Sequence, residues 1–371
     1  MYIILGLIAL YVLYLAVDAY RTNAARRRIG HIVHVNGIRG KSSVTRLIHA
    51  GLTAGGVHSF CKVTGTDPMV LCPDGTEKVL RRIGVANIRE QSRVLRMAAG
   101  QGADVLVIEC MAITPELQRA SQRNILKADI GVLTNVRRDH TDVMGDSLEE
   151  ICDSLLNTLP EKGMFFTAEE KFFTRIAAAT EKMDTKAVLA LPETESYDFD
   201  FPENVALALA VCEYLGVSRE KALSGMKNYS RDPYALSVYH AGEVVFVNGL
   251  SINDPSSTVA VWKMVREKYG LEEKKLALLI NNRADRGSRT QDMLEVCREL
   301  APDEILLFGA GKSYMKAKIA KILPGMPIRC IKKARCFDFE REFGGCAVFA
   351  VGNLKGAGRE ILKKVRKAEN V

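Results

Sequence analysis

The sequence lacks the patterns of several common protein classes. Its nine cysteines include no Cys-x-x-Cys pair, and their odd number fits neither a zinc nor a disulfide framework. We interpret them as reduced core thiols, which agrees with a cytoplasmic location. No basic run is interleaved with aromatics, so we expect no nucleic-acid partner, and no internal repeat or low-complexity tract is present. The net charge of +8 is moderate and, taken alone, would suit anionic lipid, nucleic acid or an acidic product.

Charge is also absent from residues 2–17, YIILGLIALYVLYLAV. As a helix this stretch would reach about 24 Å, slightly less than a typical bilayer core. The arginines at 21 and 26–28 follow it, whereas a cleaved signal peptide carries its charges ahead of the apolar run. By the positive-inside rule we predict a single-pass cell-membrane anchor with the downstream chain in the cytoplasm. A buried N-terminal helix is the alternative, although the stretch has no polar face.

Beyond residue 28, short apolar runs alternate with helical patterns. This alternation predicts an α/β protein with mainly parallel sheets and ligand groups at the carboxyl ends of the strands. A chain of 371 residues is too long for one average domain. We therefore predict an anchor over 1–28, a central domain over 29–237 and a smaller C-terminal α/β domain over 238–371. These runs and helical patterns are IVHV (32–35), VTRLIHAGL (44–52), DVLVIEC (104–110), DIGVLTNV (129–136), EVVFVNG, KLALLINNR, EILLFGAG and CAVFAVGN.

The first of these runs leads into a glycine turn. Residues 31–48, HIVHVNGIRGKSSVTRLI, read as a strand, a P-loop-like turn and a helix. Backbone N–H groups of such a turn bind phosphate, Lys41 would neutralise the terminal phosphates, and Ser42 could ligate Mg²⁺. The strict motif needs glycine where this chain has Val35, so an ordinary strand-to-helix turn is the alternative. The residues assigned to nucleotide binding here are Asn36, Gly37, Gly40, Lys41, Ser42 and Ser43.

A second turn has similar residues. Residues 306–323, LLFGAGKSYMKAKIAKIL, contain a strand, a glycine turn and Lys312-Ser313, again without the early glycine. Only a few tens of residues follow it, and the polar strand ends that follow the first turn have no counterpart there. We interpret the second turn as an ordinary connection between a strand and a helix.

Polar residues end the next two predicted strands after the first turn. Glu109 lies in VIECMAI, and Asn135, Asp139 and His140 lie in TNVRRDHTDV. These groups could complete a Mg²⁺–ATP site, because one carboxylate, a hydroxyl and phosphate oxygens suffice for magnesium. Taken singly, Glu109 could be an ion-pair partner and His140 a hydrogen-bonded structural histidine.

Together these segments resemble a known family. NGIRGKSS, IEC, TNVRRDHTDVMG, FPENVALALA and NDPSST are similar to segments of the ATP-dependent Mur-type amide ligases, and most closely to the poly-γ-glutamate synthase ligase subunits of the PgsB/CapB type. The resemblance covers residues 31 to about 360. It implies a P-loop, Mur-ligase-like central domain, a smaller Rossmann-like C-terminal domain that closes over nucleotide, and a membrane helix ahead of the P-loop.

The resemblance also implies roles for single residues. Lys41 and the turn backbone would hold the β- and γ-phosphates of ATP, and Ser42, Glu109 and His140 would hold Mg²⁺. Asn204 matches the asparagine that faces adenine. The residues with implied catalytic roles are Lys41, His140 and Arg231.

The remaining implied contacts come from later in the chain. Arg231 and Asp254 match an arginine and an aspartate that reach ATP, although Asp254 stands in Asn-Asp-Pro where many relatives have Asp-His-Asn-Pro. Arg283 and Arg286 lie in RADRGSR, which resembles a basic loop near the acidic amino acid, and a solvated charged loop is the alternative.

Two departures from the family limit the prediction. Many Mur-type ligases have a carbamylated lysine fifteen positions after the histidine, where this chain has Leu155. Cell-wall Mur ligases also carry a UDP-sugar-binding domain ahead of the P-loop, in place of which this chain has an apolar segment. We therefore do not expect a nucleotide-sugar peptide substrate.

The resemblance implies that glutamate carboxylate is activated as an acyl phosphate and attacked by an amine, which extends poly-γ-glutamate. Expected partners are glutamate, the growing polymer and other membrane subunits of a synthase and export complex, and we also expect a homo-oligomer. Two alternatives remain open. One is a folylpolyglutamate-synthase-like ligase, and the other is a membrane-tethered P-loop ATPase that forms no bond.

Overall fold

The computed structural model describes residues 2–65, 67–82, 84–193, 197, 199–252, 254–282, 288–331 and 339–369. The chain divides into two compact units, Met1–Asp232 and Pro233–Val371. Sequence had placed this boundary near residue 237. The predicted α/β architecture with mainly parallel sheets is confirmed in both units.

The first unit is built on a sheet with strand order β4-β3-β2-β5-β1-β6-β7-β8. Strands β3 and β4 form an antiparallel extension, and the other neighbours pair in parallel. The strands are β1 (His31–Asn36), β2 (Ser59–Val63), β3 (Met69–Leu71), β4 (Glu77–Val79), β5 (Val105–Glu109), β6 (Ile130–Leu133), β7 (Met164–Thr167) and β8 (Lys186–Leu189).

Helices of three types connect these strands. A π-helix, Ser121–Leu126, and a 3₁₀ turn, Leu156–Thr158, supplement the α-helices. The α-helices are α1 (Tyr2–Arg26), α2 (Lys41–Ala54), α3 (Glu90–Gly100), α4 (Pro115–Ala120), α5 (Thr141–Met144), α6 (Leu148–Leu155), α7 (Phe173–Glu181), α8 (Pro202–Tyr214) and α9 (Arg219–Lys227).

The two faces of the first sheet pack against different helices. Side chains alternate along a strand, so Val33 and Val35 of β1 join a core with α2 and α8, whereas Ile32 joins a core with α3. Burial on both faces explains why the parallel strands are continuous apolar runs. Their carboxyl ends, including Asn36 and Glu109, form one edge of the sheet.

Helix α1 is one continuous helix that includes the predicted apolar segment. Its residues 2–17 are exposed, while Thr22 and Ala25 near its end are buried against the first unit. In the part of the chain that the structure describes, α1 is long and apolar enough to cross a membrane by length and composition. The alternative of a helix buried along its whole length is not observed.

The second unit has a sheet of order β13-β12-β11-β14-β10-β9, with β9 antiparallel to β10. Trp262 stacks on Phe349 at a centroid distance of 5.2 Å in its core. Its strands are β9 (Ser237–Ala241), β10 (Val244–Asn248), β11 (Leu276–Asn282), β12 (Glu304–Gly309), β13 (Ile328–Cys330) and β14 (Ala347–Gly352). Its helices are α10 (Pro255–Lys268), α11 (Ser288–Leu300), α12 (Lys312–Ile322), α13 (Phe339–Phe343) and α14 (Ala357–Glu369).

Candidate nucleotide and metal site

The turn between β1 and α2 requires its two glycines. Gly37 and Gly40 have φ values of 130° and 79°, in a backbone region that L side chains rarely adopt. A Cβ atom on Gly40 would also lie 2.7 Å from the Asn204 Oδ1 atom. Gly40 has no side chain that could cap α2, so the first N–H groups of the helix face the turn without a side-chain acceptor. This is the arrangement that binds an anion.

Lys41 lies over the same turn. Its Nζ atom donates hydrogen bonds to the carbonyl oxygens of Gly37 at 2.6 Å and Ile38 at 3.3 Å. Burial lowers the pKa of the amine, and the nearby Glu109 carboxylate opposes that shift. The turn therefore holds a cation at the start of α2, where phosphate oxygens would be neutralised.

Ser42 and Glu109 bring two hard oxygen ligands together. The Ser42 hydroxyl donates to Glu109 Oε2 at 2.9 Å, and the backbone N–H of Thr64 donates to the same oxygen at 2.7 Å. Glu109 is 3% exposed, so its carboxylate is fixed at the end of β5. Among the described residues no group of three or more His, Cys, Asp or Glu side chains is placed to hold a metal ion. One carboxylate and one hydroxyl fit Mg²⁺, which retains water and takes phosphate oxygens as further ligands.

The loop after β6 holds the phosphate turn in place. Asn135 accepts from the Arg39 N–H with its Oδ1 atom and donates to the Arg39 carbonyl with its Nδ2 atom, both at 3.0 Å. The Thr134 hydroxyl donates to the same carbonyl at 2.6 Å. Asp139 forms an ion pair with the Arg39 guanidinium at 3.1 Å. Asn135 and Asp139 thus contact the turn itself, and their part in a Mg²⁺–ATP site stays a prediction.

His140 lies in the same loop, at the start of α5. Its φ of 51° places it in the left-handed region. Its backbone N–H donates to Asp139 Oδ1 at 2.8 Å, and its Nε2 atom is 3.8 Å from Asp139 Oδ2. These contacts locate the ring beside Asp139, and its role as a metal ligand stays a prediction.

The Asn36 side chain links the carboxyl end of β1 to neighbouring helices. Its Nδ2 atom donates to Gln118 Oε1 at 2.9 Å, and to the Leu155 carbonyl and the Thr158 hydroxyl at 3.2 Å each. The side-chain amide therefore ties the strand to α4 and to the end of α6. The Leu155 side chain is itself fully buried in an apolar cluster, so this position offers no metal-bridging group.

A second polar cluster flanks the turn and joins Asn204, Asp200 and Tyr229. The Asn204 Nδ2 atom donates to Asp200 Oδ1 at 2.7 Å, and the Tyr229 hydroxyl donates to Asp200 Oδ2. Ser43 also hydrogen-bonds Tyr229, and burial together with Asp200 raises the pKa of the tyrosine. Arg231 lies over the Tyr229 ring, with its guanidinium carbon 5.9 Å from the centroid. The structure thus brings together three predicted nucleotide contacts, at positions 43, 204 and 231.

The other predicted contacts belong to the second unit. Asp254 is the N-cap of α10, and its Oδ1 atom accepts from the Ser257 N–H at 2.8 Å. This cap is a structural role, and contact with ATP stays a prediction. Arg283 and Arg286 lie outside the described residues.

Sequence reasoning missed several residues of this edge. Thr64 contacts Glu109 through its backbone N–H, so the identity of its side chain gave no indication of this role. Lys62 is fully buried and pairs with Glu90 at 2.9 Å. Burial lowers the pKa of Lys62, while Glu90 and Glu109 oppose that shift. A lysine in a strand usually faces solvent, so no sequence pattern indicated this pair.

The second glycine turn differs from the first in its surroundings. The Nζ atom of Lys312 donates to the Ile331 carbonyl at 3.0 Å. The neighbouring strand β11 ends in Asn281 and Asn282, whose amides donate to backbone carbonyls at the same edge. These contacts agree with the interpretation of an ordinary connection.

The fold is that of the Mur-type ligases. Residues 35–206 match the Mur ligase middle domain, and residues 233–368 match the poly-gamma-glutamate synthase CapB C-terminal domain. An Escherichia coli FolC structure with ADP is 15% identical, with a TM-score of 0.73 over 95% of this chain and 93% of that one. A folylpolyglutamate synthase/dihydrofolate synthase with Mn, AMPPNP and L-glutamate bound is 16% identical, with a TM-score of 0.70 over 95% and 93%. These solved structures establish the fold.

Two curated relatives establish the family. PGA synthase CapB of Bacillus subtilis (strain 168) is 34% identical over 355 residues, which are 90% of this chain and 89% of that protein. The capsule biosynthesis protein CapB of Bacillus anthracis is 35% identical over 300 residues, which are 77% of this chain and 61% of that protein. The chain belongs to the CapB family. The predicted family, the fold class and the assignment as an ATP-dependent ligase are confirmed.

Proposed function

We propose that the chain is the ligase that makes poly-γ-glutamate, with ATP as the energy source and Mg²⁺ as the metal. The observation that carries this proposal is the contact of the Ser42 hydroxyl with the Glu109 carboxylate at 2.9 Å, next to the turn that holds Lys41. The CapB relatives support glutamate and its polymer as substrates. The structures of the fold with nucleotide, and with Mn in one of them, support ATP and a divalent metal.

The reaction converts a poor electrophile into a reactive one. A glutamate carboxylate oxygen attacks the γ-phosphorus of ATP, the bond from that phosphorus to the β,γ-bridging oxygen breaks, and ADP leaves. The amine of the next glutamate unit then attacks the acyl carbon, loses a proton and releases phosphate. The protein contributes positioning and charge stabilisation, and no nucleophilic side chain is needed.

The predicted residues other than Asn36, whose amide is bonded to α4 and the end of α6, have places in this scheme. Lys41 and the N–H groups of the turn would bind the β- and γ-phosphates, with Gly37, Gly40 and Ser43 shaping the turn. Ser42 and Glu109, joined by His140, would hold Mg²⁺, which neutralises charge that develops on the phosphate oxygens. Asn204 would contact adenine. Arg231 and Asp254 would reach the phosphates, and Arg283 and Arg286 the acidic amino acid.

Helix α1 would hold the enzyme at the cell membrane as a single-pass anchor, with both units in the cytoplasm. Its exposed apolar residues 2–17 and the following arginines support this location. A tether of this kind suits a capsule or polymer pathway in which the polyanion passes to an export partner. We also propose that the chain works with other membrane subunits and as a homo-oligomer.

The two glycine turns offer a matched test. Lys41→Ala should abolish glutamate-dependent ADP release and polymer formation, because the phosphate charge is no longer neutralised. Lys312→Ala, at the second turn, should retain both. Polymer formed by Lys41→Ala at the wild-type rate would contradict the site. Glutamate-independent ATP hydrolysis would favour the ATPase alternative, and glutamate addition to a folate would favour the folylpolyglutamate synthase alternative.

A further inference from the structure

Helix α1 lies beside α3 and runs in the same direction. The Tyr14 hydroxyl is hydrogen-bonded by Arg89, directly before α3, at 3.3 Å. One turn further along α1, Asp18 pairs with Arg89 at 3.4 Å and with Arg96, in the middle of α3, at 2.7 Å. One turn later still, the Thr22 hydroxyl accepts from Arg96 at 3.1 Å. Later residues of α1 therefore meet later residues of α3. The apolar N-terminal half of α1 extends beyond the start of α3.

The start of α3 lies at the edge of the sheet that carries the candidate site. Glu90, in the first turn of α3, pairs with Lys62 at 2.9 Å, and Lys62 is in register with Ile108 at the end of β5. At the opposite edge, Arg26 at the end of α1 pairs with Asp129, directly before β6, at 3.2 Å. The apolar half of α1 therefore leaves the first unit on the side of the Ser42 and Glu109 contact.

Exposed arginines and valines lie in the segment that leads into α3 and in the first turn of α3. The basic ridge consists of Val79, Arg81, Val85, Arg89 and Arg93, all of which are exposed. The side chains of Val79 and Val85 are 61% and 89% exposed, which is unusual for this residue type. Residues 79–96 contain five arginines and one glutamate, so the ridge lies in a basic stretch of the chain.

We propose that the basic ridge docks on anionic phospholipid headgroups and turns the site edge of the first unit toward the bilayer. The inference rests on the membrane anchor of the proposed function. Tyr14 comes three positions before Val17, the end of the apolar run, so its partner Arg89 stands at the depth of the headgroups. Tyrosine and arginine are the residues that suit this depth, and each basic residue near an anionic surface adds attraction.

Two further features favour lipid over a protein partner. The apolar run reaches about 24 Å, which is shorter than a typical hydrocarbon core and would draw the first unit against the bilayer surface. The exposed Val79 and Val85 can enter the interfacial layer beside the arginines, as apolar residues of interfacial segments do. With this orientation, polymer would leave the site on the membrane side of the protein.

Tryptophan fluorescence of the full-length chain in vesicles tests the orientation. Val85→Trp reports on the ridge, and Tyr214→Trp reports on the opposite edge, because Tyr214 ends α8 and is 49% exposed. The single native tryptophan, Trp262, is common to both variants and is 5% exposed. Each variant is reconstituted in phosphatidylcholine vesicles with and without phosphatidylglycerol, and quenching by brominated lipid is measured. Flotation and glutamate-dependent ADP release are recorded on the same samples.

The inference predicts quenching at position 85, stronger with phosphatidylglycerol, and none at position 214 beyond the wild-type level. An embedded, active chain without quenching at position 85 would overturn lipid docking, leave the ligase intact and point to a protein partner. Quenching at position 214 instead would overturn the orientation. A chain that fails to float with vesicles would refute the anchor and this inference together, whatever its ligase activity.

Charge neutralisation tests the lipid chemistry separately. In the Val85→Trp background, Arg81→Gln with Arg93→Gln should weaken ridge binding to anionic vesicles about fivefold for each arginine removed. Lys182→Gln with Lys186→Gln removes the same charge at the opposite edge, where Lys186 begins β8, and should leave the quenching unchanged. Equal effects of the two pairs would overturn the assignment to the ridge.

Discussion

The Ser42 hydroxyl donates to the Glu109 carboxylate at 2.9 Å although the two residues are 67 positions apart. The contact forms because α2 begins where β1 ends and β5 is the parallel neighbour of β1. Thr64 fixes the same carboxylate through its backbone. The two oxygens that suit Mg²⁺ are thus positioned by the sheet before any ligand arrives.

Glu109→Gln should raise the Mg²⁺ concentration needed for half-maximal glutamate-dependent ADP release by at least about tenfold, because a neutral amide is a weaker ligand than a carboxylate. The measurement is a Mg²⁺ titration at saturating ATP and glutamate. Glu116→Gln, on the exposed first turn of α4, is the matched control and should follow the wild type. An unchanged Mg²⁺ requirement would remove Glu109 from the metal site.

Asn135→Ala should weaken ATP binding. It deletes both hydrogen bonds that hold the Arg39 peptide, each worth about 1 kcal/mol, so KM for ATP should rise roughly thirtyfold. Folding should be retained, because Thr134 still donates to the Arg39 carbonyl. Steady-state kinetics check this, with Asn124→Ala on the exposed part of the π-helix as control. The same KM in both variants would contradict a role in shaping the turn.

Tyr229→Phe should loosen the polar cluster beside the turn. The lost hydroxyl donates to the Asp200 carboxylate, and hydrogen bonds to charged groups contribute about 1.5–3 kcal/mol. Asp200 would then hold Asn204 less firmly, so ADP affinity measured by calorimetry should fall about tenfold or more. Tyr314→Phe, at an exposed position of α12, is the control. Unchanged ADP affinity would place the cluster outside the nucleotide site.

Acid should destabilise the first unit. Burial lowers the pKa values of His34 and His49 to about 4 from a normal 6.5. Between pH 6.5 and 4 the unfolded chain therefore binds more protons than the folded chain. The contribution of the two histidines to the free energy of unfolding is fully present above pH 6.5 and is lost as the pH falls toward 4. Over this pH range, protonation of each histidine lowers the free energy of unfolding by about 3 kcal/mol.

The test compares denaturation midpoints of detergent-solubilised variants at pH 7 and pH 5. His49→Gln should show a smaller pH-dependent loss than the wild type. His58→Gln, at an exposed position, should show the wild-type loss. An identical pH dependence in all three proteins would contradict the assigned cause.

Much of the candidate site could be predicted because its parts follow a local rule. Lys41, Ser42 and Glu109 stand at the carboxyl ends of recognisable apolar strands, where parallel sheets collect ligand groups. The predicted runs at 32–35, 104–110 and 129–136 correspond to β1, β5 and β6. Helix α2 follows the turn, as the strand, turn and helix pattern of residues 31–48 predicts.

The remaining features depend on distant pairs. Tyr229 meets Asp200 across 29 positions, and the buried Lys62 meets Glu90 on a different element. No local sequence pattern predicts such contacts. A charged side chain is buried only where a partner compensates its charge, and that partner can lie far away in sequence. The direction in which α1 leaves the first unit is likewise set by its packing on α3.

The central claim is that ATP activates a glutamate carboxylate, and isotope transfer tests it most directly. Glutamate labelled with ¹⁸O in its carboxylates is supplied with unlabelled ATP and Mg²⁺, and the phosphate released during polymer formation is analysed by mass spectrometry. Attack of the carboxylate on the γ-phosphorus predicts one ¹⁸O atom in each phosphate formed per amide bond. Phosphate without ¹⁸O, released while polymer grows, would contradict the account.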